Sequence, residues 1–151
     1  MKWYAFIRKY VWDDQKTPYL VSVDRLNRTQ GRSELFTFSV LLAVFCMVIG
    51  IAALLGKAFQ GQSIGVAVYT FTIFSAATVL GATRHPLAAI YCSTIAPVTL
   101  FYFLIYGFPP KLHLIDELLI LALTVMLMRY SFRVVAIARA YPFLTPGDDG
   151  G

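Results

Sequence analysis

The chain has 151 residues and a formal net charge of +5, with 58% hydrophobic and only 14% charged residues. Soluble domains are about half apolar and about a quarter charged, so a water-soluble globule is set aside. The basic balance alone would suit nucleic-acid binding, but no binding motif accompanies these cations, and that class is set aside too.

Residues 1–34 read as an amphipathic arm. Trp3, Phe6, Ile7, Tyr10 and Val11 follow the i, i+3, i+4, i+7, i+8 spacing of one helix face, while Lys2, Arg8 and Lys9 fall off it. Trp and Tyr favour the headgroup zone and cations its anionic surface. The arm is therefore expected to lie on the cytoplasmic leaflet, dock into a partner, or pack on the chain's own bundle. A polar turn at residues 13–18 follows. Ser22 or Asp24 is expected to N-cap a second helix, since their side-chain oxygens accept from free backbone N–H groups. That helix is expected to run through Gly31 into the first apolar segment. Arg25, Arg28 and Arg32 stand at i, i+3 and i+7, either as a plain basic anchor or as a stripe for acidic partners or anionic headgroups.

Four apolar runs come next, at residues 35–56, 64–82, 86–108 and 112–130. Each is about long enough for a helix rising 1.5 Å per residue to cross a hydrocarbon core of about 30 Å. No cleavable leader is expected, because the first run begins after a long basic segment. Small residues four apart (Cys46/Gly50, Ala52/Gly56, Ala77/Gly81, Ala89/Ser93) are candidate helix contacts. Pro97 is expected to bend the third run, with Ser93 or Thr94 reaching the carbonyl it frees. Residues 83–85 leave room only for a tight hairpin between the second and third runs.

Asp116 and Glu117 are the polar anomaly of the fourth run. Acids within a membrane segment are candidates for an ion or proton site, but acids in a first helical turn also complement the macrodipole. Arg129 and Arg133 lie four apart at the other end of this run, where long stems snorkel to headgroups. The helix is expected to continue along the cytoplasmic surface to residue 139, with Pro142 ending it. Residues 140–151 read as a flexible tail.

An even number of crossings brings both chain ends to one side. That side then carries every Lys and Arg except Lys57 and Lys111, which makes it cytoplasmic by the positive-inside rule. His85 and His113 would lie on opposite faces, so they cannot share one metal or haem. Cys46 and Cys92 read as buried thiols outside any CxxC pair. No catalytic residue, cofactor or metal ligand is assigned.

The fold expected is an all-α membrane protein, a four-transmembrane-helix bundle at residues 35–139 preceded by the cytoplasmic arm. The function expected is a non-catalytic accessory or scaffolding subunit of a larger membrane complex, such as an energy-converting one, in a bacterial inner membrane. Its contacts would be anionic lipid headgroups and other membrane subunits or further copies, through Trp3, Phe6, Ile7, Tyr10, Arg25, Arg28, Arg32, Arg129 and Arg133. The alternative is a small oligomeric transporter or channel using Asp116 and Glu117. A quinone- or lipid-handling enzyme would require a cleft lined by Tyr91, Tyr102 or Tyr106 with a titratable partner.

Overall fold

A computed structural model describes residues 22–56, 63–108 and 112–146 of the chain. Among the described residues all regular structure is helical. The helices are α1 (Arg28–Leu54), α2 (Ile64–Thr83), α3 (Pro86–Ser93), α4 (Ile95–Tyr106) and α5 (Leu114–Ala140), with short 3₁₀ turns at Val23–Arg25 and Tyr141–Phe143. α1, α2, α3 with α4, and α5 with its trailing turn make four spans long and apolar enough to cross a membrane.

The helix boundaries follow from local chemistry. Asn27 caps α1: its side chain accepts from the Gln30 N–H at 2.8 Å, and the Gln30 side chain accepts from the Asn27 N–H at 3.1 Å. Neither Ser22 nor Asp24 starts this helix. Ser22 precedes the 3₁₀ turn and makes no side-chain cap bond, and Arg25 stands outside α1, so only Arg28 and Arg32 of the arginine stripe share it. The helix then runs unbroken through Gly31, as expected. Ser63 caps α2 by accepting from the Val66 N–H. α2 ends at Arg84, in the left-handed region at φ 57°. The turn into α3 is as tight as the sequence implied, with Pro86 in the first turn.

With 27 residues each, α1 and α5 are about 40 Å long, some 10 Å more than a hydrocarbon core. The surplus lies at the end of the bundle that carries both described chain ends and the α2–α3 turn, called the terminal end below. The opposite end is the far end. At the terminal end the extension of α5 does not lie along a surface, as the sequence implied. Val134, Ile137 and Ala138 are buried in the core, Ile137 lies against Gly31, and the Arg28 N–H donates to the Thr145 carbonyl at 3.0 Å.

α1 and α2 form the closest pair. Leu35, Ser39, Leu42, Cys46, Gly50 and Ala53 make one buried stripe on α1, and Ala67, Thr70, Ile73, Ala77 and Leu80 make one on α2. A methyl group at Gly50 would stand 2.9 Å from Thr70 Oγ1, and one at Gly81 3.3 Å from Ser39 Cβ, so these glycines set the helix separation. Cys46/Gly50 and Ala77/Gly81 thus act at the interface. Ala52/Gly56 does not, because α1 ends at Leu54 and Gly56 lies beyond it, exposed.

The core sits in the terminal half. α4 buries only Ile95 and Ala96, and α5 buries nothing before Thr124. Towards the far end, Leu104, Ile105, Leu114 and Ile115 are 72–77% exposed.

Candidate functional site

Two antiparallel helices that start and finish at the same end bring distant residues to one depth. Glu34, near the start of α1, is fully buried and faces Arg133, near the end of α5. Arg133 Nη2 donates to Glu34 Oε1 at 3.0 Å and Nε donates to Oε2 at 3.3 Å. The planar guanidinium thus engages both carboxylate oxygens, a geometry a lysine cannot supply. Arg133, expected at a lipid or partner surface, is turned inward with its side chain 19% exposed. Glu34 was not singled out by sequence. The available signal was an acid at the start of the first span matched with a base at the end of the last.

Helical spacing carries the Glu34 face onward to Thr37, Phe38, Leu41 and Phe45. These residues, with Leu127 and Tyr130 of α5, line an apolar groove of about 620 Å³. The Phe38 and Tyr130 rings meet at 5.8 Å beside it. The ion pair therefore joins the Gly31–Ile137 and Phe38–Tyr130 contacts in tying α1 to α5 towards the terminal end.

The third span is interrupted at Thr94 rather than at Pro97. Proline lacks an N–H and its ring presses on the carbonyl one turn before it, the Ser93 carbonyl, so the helix yields just upstream. The Thr94 N–H then bonds the Tyr91 carbonyl at 3.1 Å. Ser93 Oγ donates to the Ile90 carbonyl at 2.6 Å and Thr94 Oγ1 to the Tyr91 carbonyl at 2.7 Å. Contrary to expectation, neither hydroxyl reaches the Ser93 carbonyl that Pro97 frees; they bond the Ile90 and Tyr91 carbonyls three residues before their own positions. Two further contacts pin the break to α2. Tyr69 OH lies 2.8 Å from Thr94 Oγ1 and Tyr91 OH lies 2.9 Å from Thr72 Oγ1. Beside them is a second cavity of about 240 Å³ among α1, α2 and α4, with walls that include Phe45, Tyr69, Thr70, Val98, Thr99 and Tyr102. Of the three tyrosines named for a cleft from sequence, Tyr102 alone lines it; Tyr69 joins from α2.

Arg28 and Arg84 both lie over the Tyr141 ring, at 5.4 and 5.7 Å from its centre, within cation–π range. Arg25, Arg32 and Arg129 are exposed. Asp116 accepts from the His113 N–H at 3.2 Å and so caps the start of α5; Glu117 sits in the same first turn. The sequence-named residues therefore fall into two groups at opposite ends, with the arginines at the terminal end and the acids at the far end. Trp3, Phe6, Ile7 and Tyr10 lie outside the described residues. Among the described residues no three His, Cys, Asp or Glu side chains are grouped to hold a metal.

No protein-family profile, curated protein or solved structure matches this chain.

Proposed function

We propose that this chain is a polytopic integral membrane protein serving as a non-catalytic accessory or scaffolding subunit of a larger membrane complex, with both ends in the cytoplasm of a bacterium. The observation that carries the reading is the far half of α4 and α5. There, large aliphatic side chains face outward and the two helices pack little against the rest of their own chain. Each span buries only 17–33% of its apolar window internally, which leaves wide surfaces for neighbouring helices and lipid. Arg25, Arg32 and Arg129 supply exposed cations for anionic headgroups at the terminal end. The transporter reading ranks second, because Asp116 is already engaged in capping α5.

A photo-crosslinking residue at Ile115, followed by purification in mild detergent, tests the reading. Crosslinks to other membrane proteins are expected. Recovery from native membranes as a monomer free of crosslinks would overturn it. Cysteines placed at Ser22 and Thr145 should both react with an impermeant thiol reagent only after the cytoplasmic face is opened; labelling from opposite faces would refute the topology.

A further inference from the structure

We propose that Arg28 and Arg84 form a binding site for the phosphate headgroup of an anionic lipid at the terminal end of the bundle. Arg28 opens α1 and Arg84 stands in the turn between α2 and α3. Both guanidinium groups nevertheless converge on the Tyr141 ring, at 5.4 and 5.7 Å from its centre. Their charges lie no further apart than the sum of those distances. Like charges so close repel, and the ring face offsets this only in part. Among the described side chains the carboxylates are elsewhere. Glu34 is engaged by Arg133, and Asp116 and Glu117 sit in the first turn of α5 at the far end. The carbonyl end of α5 adjoins Tyr141, but a helix terminus carries only about half a charge, too little to neutralise two cations.

Arg84 Nε is enclosed by the protein and finds no acceptor in it. The guanidinium is thus partly desolvated with neither an acid nor a hydrogen bond to offset the loss of water. Its backbone is left-handed at φ 57°, which a glycine would adopt more easily, so local stability does not account for an arginine here. An external anion does. Two phosphate oxygens match the guanidinium fork. The setting favours a lipid as the source. One apolar span ends at Thr83, immediately before Arg84, and the next begins at Pro86, which sets the arginine at headgroup depth. Leu87, just past Arg84, and Phe143, just past Tyr141, are 67% and 87% exposed and offer apolar surface for the attached chains. The site rests on the membrane placement above and needs no partner subunit.

The full chain in neutral detergent is titrated with phosphatidylglycerol or phosphatidylcholine, and bound lipid is counted by native mass spectrometry. Phosphatidylglycerol should bind roughly tenfold more tightly, because choline would bring a third cation to the site. Arg84→Gly, which suits the left-handed backbone and keeps the fold, should reduce that preference roughly three- to tenfold, as should Arg28→Gln. The Arg25→Gln/Arg32→Gln pair, which removes two exposed charges from the same end, should leave it within about twofold. Equal affinity for the two lipids, a preference that survives in Arg28→Gln/Arg84→Gly, or an equal loss in the Arg25/Arg32 control would overturn the proposal. So would displacement of the lipid by millimolar inorganic phosphate, which would assign the site to a free anion. A large gain in affinity on changing Asp24, Asp148 and Asp149 to Asn would show that the chain's own acids occupy the arginines, and would overturn it too. Alkaline extraction of the same membranes separates failure of the lipid site from failure of the membrane reading.

Discussion

Removing one side of the Glu34–Arg133 pair should be far worse than removing both. Glu34 is fully buried and Arg133 is partly buried. Arg133→Met leaves a buried carboxylate with no partner, a change that costs about 3–5 kcal/mol. Glu34→Leu leaves the arginine instead. Its side chain is 19% exposed and its long stem can carry the charge outward, so the loss should be smaller, about 1–3 kcal/mol. The double variant replaces an ion pair by two apolar side chains of similar size and should fall within about 1.5 kcal/mol of the parent. Closing the cycle gives a coupling of at least about 2.5 kcal/mol, and of about 4–8 kcal/mol if the double variant matches the parent. The assay is reversible unfolding in mixed detergent micelles, followed by circular dichroism for all four proteins. The pair lies inside the bundle, so the coupling should also change little with added salt. Additive costs, or a Glu34→Leu loss larger than that of Arg133→Met, would show that the bridge does not hold α1 to α5 and would refute the reasoning.

Three further outcomes follow from the packing. Gly50→Ala forces a methyl group towards Thr70 Oγ1, which stands 2.9 Å from its position; a loss of about 1–3 kcal/mol is expected, and Thr70→Ala in the same chain should recover most of it, as read in the same unfolding assay. Arg84 occupies left-handed backbone at φ 57°. Arg84→Gly should therefore be nearly neutral, with relief of about 1 kcal/mol of backbone strain offsetting the lost Tyr141 contact, whereas the branched Arg84→Val should lower the unfolding midpoint. Cys46 and Cys92 are both fully buried. Neither should react with a bulky maleimide until the bundle is unfolded; rapid labelling of either in the folded protein would contradict the helix packing.

Much of the fold was legible because it depends on local rules. Runs of apolar residues marked the four spans, Pro86 marked the start of α3, and Cys46, Gly50, Ala77 and Gly81 marked the α1–α2 contact through their size. The start of α1 is not set by residue type alone, because Ser22, Asp24 and Asn27 are all able caps. The reciprocal bond from Gln30 decided the choice in favour of Asn27. Pro97 announced a distortion, but that the break is held against α2 through Tyr69–Thr94 and Thr72–Tyr91 was not legible, because those partners are 25 and 19 positions apart. Glu34 read as the last residue of a charged arm because its partner is 99 positions away. The same distance hid the inward turn of Arg133.

By itself the sequence determined which segments are long and apolar enough to span a bilayer, and that its cations gather at one end of the alternation. Hydropathy and charge are summed along the chain, so they need no knowledge of neighbours. Only the tertiary structure decided which charge is buried, which helix pairs touch, and which hydroxyls have already spent their hydrogens on the backbone. Those facts depend on side chains brought together across the bundle, and linear order alone does not specify such meetings.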